Sequence, residues 1–141
     1  MIDLPAALLA AIGQEGQKCY PSEACGILLG HLADDDRRRV TDIMPIDNAS
    51  DPTEQYHRFR IEAEDLMAAE TRGASQGLEV LGFYHSHPDH PARPSDYDLG
   101  HALPFYSYVI VTVDQGRAGQ ITSWRLAPDS YKFDPETLEK I

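Results

Sequence analysis

Leu4, Leu8, Ala11 and Ile12 recur at helical spacing, with Pro5 near the start and Gly13 and Gly16 near the end. This pattern predicts a short amphipathic helix. Cys25–Leu32 is a continuous apolar run short enough for a buried strand. Val40–Ile46 predicts its antiparallel partner, with the charged block Asp34–Arg39 as a solvated hairpin tip between them. Asp47–Gln55 is polar, contains Asn, Asp and Pro, and predicts a loop. In Tyr56–Ile61, Tyr56, Arg58 and Arg60 alternate with His57, Phe59 and Ile61, which predicts a third strand. Ala63–Ala74 is rich in Ala, Glu and Met with acids in its first turn, and predicts a second helix ended by Gly77. Leu78–His87 predicts a strand, and Ser95–Leu103 a short helix stopped by Pro104. Phe105–Val113 is the clearest strand pattern in the chain, and Asp114–Gly119 turns it into Ile121–Leu126. The segment from Tyr131 onward follows neither period.

Helices and hairpins thus alternate, which predicts an α/β fold: a mixed β-sheet sandwiched by helices. No repeat, linker or break in composition interrupts the 141 residues, so one domain spanning 1–141 is expected.

Charge narrows the partners. Twelve Lys and Arg stand against 23 Asp and Glu, for a formal net charge of −11. Duplex binding and anionic membrane surfaces both need clustered cations, so neither a nucleic-acid nor a membrane partner is expected. High solubility is the simplest reading of the charge. The apolar run in Leu4–Ile12 is too short to span a bilayer, and its flank has Asp3 but neither Lys nor Arg. A cytoplasmic protein is expected, with Cys19 and Cys25 as free thiols, since no second Cys pair completes a zinc knuckle. Asn48-Ala49-Ser50 matches a glycosylation acceptor, read as a chance match in such a chain.

The chemistry concentrates in GFYHSHPDHPARPSDYDL, Gly82–Leu99, which carries three of the six histidines. Residues two apart on a strand share a face, so Leu81, Phe83, His85 and His87 are expected on one side. Pro88 has no N–H to continue a central ladder. Two imidazoles are thereby presented together at the end of a buried strand. Ser95-x-x-Asp98 reads as a capping box, which would fix where the Asp98 carboxylate sits. Two His and one Asp make three protein ligands, and a catalytic zinc keeps a fourth position for water. Such an ion lowers the pKa of its water to about 7 and favours a developing oxyanion. His90 and His101 stand as alternative ligands, and spacing alone does not select a general base from the 23 acids.

His85-Ser86-His87-Pro88, seven residues, then Ser95-Asp96-Tyr97-Asp98 fits the pattern HxH-x7-SxxD. It resembles the JAMM (MPN+, JAB-domain) zinc metallopeptidases, including their small prokaryotic members. Ser22–Gly30, SEACGILLG, is similar to that family's first motif, in which a Glu precedes the first core strand. The resemblance implies a cytidine-deaminase-like JAB/MPN fold. It implies Zn2+ held by His85, His87 and Asp98 with water as fourth ligand, Glu23 as general base and proton shuttle, and Ser95 steadying the tetrahedral intermediate. A deaminase is disfavoured, because the HxE and PCxxC constellation is missing. Family members that cut folded ubiquitin chains carry insertions around the core, and the corresponding regions are short here. The resemblance therefore suggests hydrolysis at the extended C-terminal tail of a ubiquitin-like or sulfur-carrier protein ending in Gly-Gly. Such a tail is expected to add to a sheet edge. The alternatives are a metal-free MPN scaffold, a RadC-like protein, and a phage or cell-wall type peptidase. The oligomeric state is not legible.

Overall fold

The computed structural model describes residues 1–129 and 131–141. In chain order the elements are β1 (Ile2–Leu4), α1 (Ala6–Cys19), β2 (Cys25–Leu32), β3 (Arg38–Ile46), α2 (Ala63–Ser75), β4 (Glu79–Pro88), α3 (Asp96–His101), β5 (Ser107–Asp114), β6 (Arg117–Leu126), β7 (Phe133–Glu136) and β8 (Leu138–Lys140). The strands form one mixed sheet in the order β7-β6-β5-β4-β2-β3-β1-β8. β4 pairs antiparallel with β2 and parallel with β5, so the strand carrying the histidines is central and paired on both sides.

Each face has its own core. On one, Leu8, Leu9 and Ile12 of α1 pack with Leu28, Leu81, Tyr84, Val109 and Val111. On the other, Leu66 and Ala69 of α2 pack with Ile27, Leu29, Val80, Phe83 and Tyr108. The expected helix-flanked mixed sheet is what forms.

Four expectations are corrected. Ile2–Leu4 is a buried strand, not the start of the first helix, because it pairs in parallel with both β3 and β8. Only part of the charged block is solvated. Arg38 lies in β3 and is wholly buried, its Nη1 donating to the Leu81 carbonyl (2.9 Å) and Ser107 Oγ (3.3 Å), with its guanidinium 4.6 Å from the Phe105 ring centre. Tyr56–Ile61 is no strand. Residues 52–57 form turns, and 58–62 join no strand among the described residues, although Phe59 and Ile61 turn partly inward and Arg60 outward as the alternation implied. Finally, Leu81 does not share the face of Phe83. The β2–β4 register passes from Leu28↔Gly82 to Leu29↔Val80, skipping Leu81, and this bulge reverses the alternation. At the adjacent Gly82 a Cβ would stand 1.9 Å from the Ser107 carbonyl oxygen, so only glycine lets β4 and β5 pair there.

Candidate metal centre

Downstream of the bulge the alternation resumes, and Phe83, His85 and His87 face the α2 side of the sheet. His85 and His87 are 1% and 5% exposed. After Pro88 the chain turns through Asp89, whose carboxylate accepts from Tyr20 Oη (2.7 Å) and the Gln115 N–H (2.7 Å). The loop then returns to the site at Ser95, the N-cap of α3. The predicted capping box forms: Ser95 Oγ accepts from the Asp98 N–H (3.1 Å), and Asp98 Oδ2 from the Ser95 N–H (2.9 Å). This reciprocal pair aims the Asp98 carboxylate back at β4.

Three atoms meet there. His85 Nε2 and His87 Nε2 lie 3.0 Å apart, and Asp98 Oδ2 is 3.2 Å from each. His87 Nδ1 lies 2.8 Å from the Pro91 carbonyl, which can only accept, so Nδ1 carries the hydrogen and Nε2 presents a lone pair. His85 Nδ1 has no hydrogen-bond partner among the described residues, and the His85 ring stacks on Phe59 at 4.4 Å. Lone-pair atoms this close repel unless a proton or a cation lies among them.

Glu23 arrives from the opposite side, in the loop between α1 and β2, and is 4% exposed. Its carboxylate and the two imidazoles can bring ligand atoms within 4.8 Å of one another. Its backbone is pinned from three directions: Glu23 N–H donates to the Gln55 carbonyl (2.7 Å), Asn48 Nδ2 donates to the Glu23 carbonyl (3.1 Å), and the Ala24 N–H donates to Ser86 Oγ (2.8 Å). Its Oε1 has no partner among the described residues. Two carboxylates therefore face the histidine pair, Asp98 at hydrogen-bond distance and Glu23 farther off.

The electrostatics separate these two acids. Burial, then the charge of Asp98, pushes the Glu23 carboxyl up to about 9. Burial opposes ionisation of Asp98 as well, but His85, His87 and the Ser95 N–H together outweigh it and hold its pKa below the usual range. Burial lowers His85, favouring neutral imidazole, the form that binds metals. Burial pushes the Cys25 thiol up to about 12, in keeping with a packing role.

The donor set fits a divalent cation. Two nitrogens and a carboxylate oxygen make three protein ligands with room for a fourth. The same combination also serves iron, so ligand type by itself does not select zinc. Of the alternatives read from spacing, His101 is exposed and stacks on Tyr97 (4.1 Å), and His90 is exposed; neither joins the cluster. Ser95 lines a cleft of about 390 Å³ together with Glu23 and His87. A second, apolar cavity of about 220 Å³, walled by Phe59, Leu66, Phe83, Tyr108 and Ile110, lies on the His85 side.

Sequence reasoning missed Ser86, Asn48 and Phe59. Ser86 lies between the two histidines and points to the opposite face, where it anchors Ala24. Asn48 looked like a glycosylation acceptor, yet its side chain bonds Glu23, Ser50, Arg58 and Arg60. An Asn in a polar segment carries no signal of such a role, because three of its four partners are backbone groups 10 to 25 residues away.

Fold and centre together define a helix-flanked α/β domain with a His/His/carboxylate candidate metal site. The chain belongs to the family described as prokaryotic homologs of the JAB domain, whose model matches residues 5–127. Among curated proteins it is similar to a desampylase of Haloferax volcanii, 33% identical over 114 residues, covering 79% of this chain and 75% of that protein. A probable TtuB-protein conjugate cleaving protease of Thermus thermophilus is 33% identical over 99 residues, covering 70% of this chain and 61% of that one. The tail tip assembly protein K of Escherichia phage N15 is 36% identical over 80 residues, covering 56% of this chain but only 27% of that protein. A Salinibacter ruber protein solved in solution superposes with a TM-score of 0.77 at 39% identity, covering all of this chain and 92% of that one. A JAB1/MPN domain protein of Archaeoglobus fulgidus, at 19% identity, a TM-score of 0.61 and coverage of 100% and 97%, shares the fold.

Proposed function

We propose that this protein is a zinc-dependent peptidase or isopeptidase that hydrolyses an amide bond at the extended C-terminal tail of a ubiquitin-like or sulfur-carrier protein. One observation carries the reading: His85 Nε2, His87 Nε2 and Asp98 Oδ2 meet within 3.2 Å, and a buried glutamate with an unpartnered oxygen faces the same histidines. His85, His87 and Asp98 would hold the ion. Bound there, zinc supplies a Lewis acid and a water acidic enough to attack at neutral pH. Burial and Asp98 alone would keep Glu23 protonated at neutral pH; the cation's positive charge beside it would favour the carboxylate, which would then take the proton from the attacking water and hand it to the leaving amine. Its role suits a side chain whose backbone is pinned while its Oε1 spends no hydrogen bond on the described residues. Ser95 Oγ already accepts from the Asp98 N–H, so its own hydrogen is free to donate to the developing oxyanion. Phe59 covers one face of His85 and restricts water on that side.

The names of the Haloferax and Thermus relatives support the choice of substrate class. The sheet-edge addition expected above has only the outer strands to use. β4 is paired on both sides, and the outer strands β7 and β8 lie at the far ends of the sheet. A cleft lined by His57, Arg58, His90, Pro91 and Arg93 opens beside Glu23 and His87 and is the nearer path for the tail.

The test is direct. Carriers ending in Gly-Gly, joined to a reporter protein by linear peptide or isopeptide bonds, are incubated with zinc-loaded and chelator-treated protein. Zinc-dependent release after the terminal glycine is expected. Failure to cleave any of them with zinc bound would remove the hydrolase reading.

A further inference from the structure

The cleft beside the metal centre holds more donors than the proposed chemistry uses. Arg58 and Arg93 both line it, together with His57 and His90. Arg58 Nη1 pairs with Glu54 Oε1 (3.0 Å), and its guanidinium carbon sits 4.9 Å from the Tyr97 ring centre. Yet Arg58 Nε is buried with no hydrogen-bond partner among the described residues, and so is His57 Nδ1. The Arg58 side chain as a whole is 39% exposed, and a guanidinium carries five N–H donors, so donors remain after the single bond to Glu54. Arg93 is exposed on the other wall, and no carboxylate among the described residues lies within ion-pair distance of it.

The acids lining this cleft are Glu23 and Asp96, one for each arginine. Across the whole chain acids outnumber Lys and Arg by 23 to 12. Arginines and acids are thus balanced in the cleft, whereas over the whole chain the acids outnumber Lys and Arg nearly two to one, and the two arginines come from different loops. A net charge of −11 disfavours an acidic ligand overall, so one that binds needs local cations.

We infer that Arg58 and Arg93 form a carboxylate-binding subsite that recognises an acidic group on the substrate tail next to the scissile bond. The inference rests on the proposed hydrolase reading for what the tail is, but the binding it describes does not require turnover. The carboxylate has two possible sources. It is either an Asp or Glu side chain, or the free C-terminal carboxylate of a short segment beyond the cut. Both offer two coplanar oxygens suited to a guanidinium fork. Arg58 and Arg93 act here as specificity residues and take no part in moving the proton.

The experiment measures binding and cleavage side by side. The probes are fluorescein-labelled peptides with a Gly-Gly segment followed by Glu, Gln or Lys, each made as the C-terminal acid and as the amide. Binding is read by fluorescence polarisation on zinc-loaded Glu23→Gln protein, in which turnover is blocked, and cleavage on zinc-loaded wild type. A carboxylate-bearing peptide should bind about tenfold more tightly than the Gln amide, and less so as salt is raised. If Glu in the amide series carries the preference, the source is a side chain; if the acid form carries it regardless of side chain, the source is the terminus. Introducing Arg93→Gln should cut the preference at least threefold, Arg93→Lys should keep most of it, and Arg93→Glu should turn it toward the Lys peptide. Zinc content should be unchanged in all three. Since Arg93 is exposed, these variants fold; Arg58→Gln is the second arm, accepted once zinc content and thermal unfolding match the parent.

Equal affinities for all peptides, no measurable binding, or a preference that survives both arginine substitutions would overturn the subsite. Charge-selective binding without cleavage by wild type would leave the subsite standing and remove the hydrolase reading. Cleavage without charge selectivity would do the reverse.

Discussion

Two carboxylates reach the histidine pair, and the proposal makes one a ligand and the other a proton carrier. Replacing each by its amide distinguishes them. Asp98→Asn retains an oxygen to accept the Ser95 N–H bond (2.9 Å), so the cap of α3 survives and metal-free stability should change by less than about 1 kcal/mol. What it loses is the anionic oxygen 3.2 Å from both Nε2 atoms. Removing the charged member of a three-ligand set should weaken zinc by about 100-fold or more, beyond the 10- to 100-fold typical of losing a supporting partner of a ligand. With free zinc well above both dissociation constants, a 100-fold change removes about 2.7 kcal/mol of metal-linked stability. For a chain of this size that is roughly 5–10 °C in the zinc-dependent part of Tm. Glu23→Gln, by contrast, should hold zinc within about threefold of wild type and lose hydrolysis by roughly 100-fold or more. The assays are competition against a chromophoric chelator, and thermal unfolding with and without EDTA. If Glu23→Gln loses zinc as severely as Asp98→Asn, or Asp98→Asn keeps it, the assignment of ligand and base is wrong.

Three further outcomes are expected. Asn48→Ala removes the clamp on Glu23 and Arg58 (3.1 and 2.9 Å), so it should lower kcat/KM about tenfold with zinc content intact, read by cleavage kinetics beside metal analysis. Gly82→Ala places a methyl 1.9 Å from the Ser107 oxygen and should cost about 3 kcal/mol or more in urea unfolding; a smaller loss would mean that β4 and β5 separate easily. The hydrogen bond from Arg37 holds buried Asp3 below its ordinary 3.8, so its stabilisation is present above that value and is lost as pH falls through the lowered one. Asp3→Asn should therefore be less stable than wild type at neutral pH, with the gap closing in acid. A gap independent of pH would sink the argument.

The centre was legible to an unusual degree because its residues are close in sequence. His85, His87, Ser95 and Asp98 lie within fourteen positions, where strand alternation and a capping box are local rules with fixed geometry. Glu23 was reached only through the resemblance, since nothing local says which of many acids faces a histidine sixty residues away. Tyr56–Ile61 shows the opposite failure. Its alternation is real, with Phe59 and Ile61 turned partly inward, but a strand needs a ladder of backbone hydrogen bonds, and beside it Asn48 and Ala49 supply one backbone bond, to the Arg60 carbonyl, and side-chain bonds in place of the rest.

The chain's own pattern determined the three helices, the strands β2 to β6, the buried character of β2, β4 and β5, and the paired presentation of two imidazoles at a strand end, but it gave no signal for β1, β7 or β8. Side-chain periodicity and turn chemistry act within a few residues, so they are written in the sequence. Only the tertiary structure decided which face those imidazoles point to. The bulge that skips Leu81 reverses the alternation, and it depends on β2, on Gly82 against Ser107, and on the buried Arg38 that bonds the Leu81 carbonyl. Those partners lie in other parts of the chain. No local rule brings them together; the closing of the sheet does.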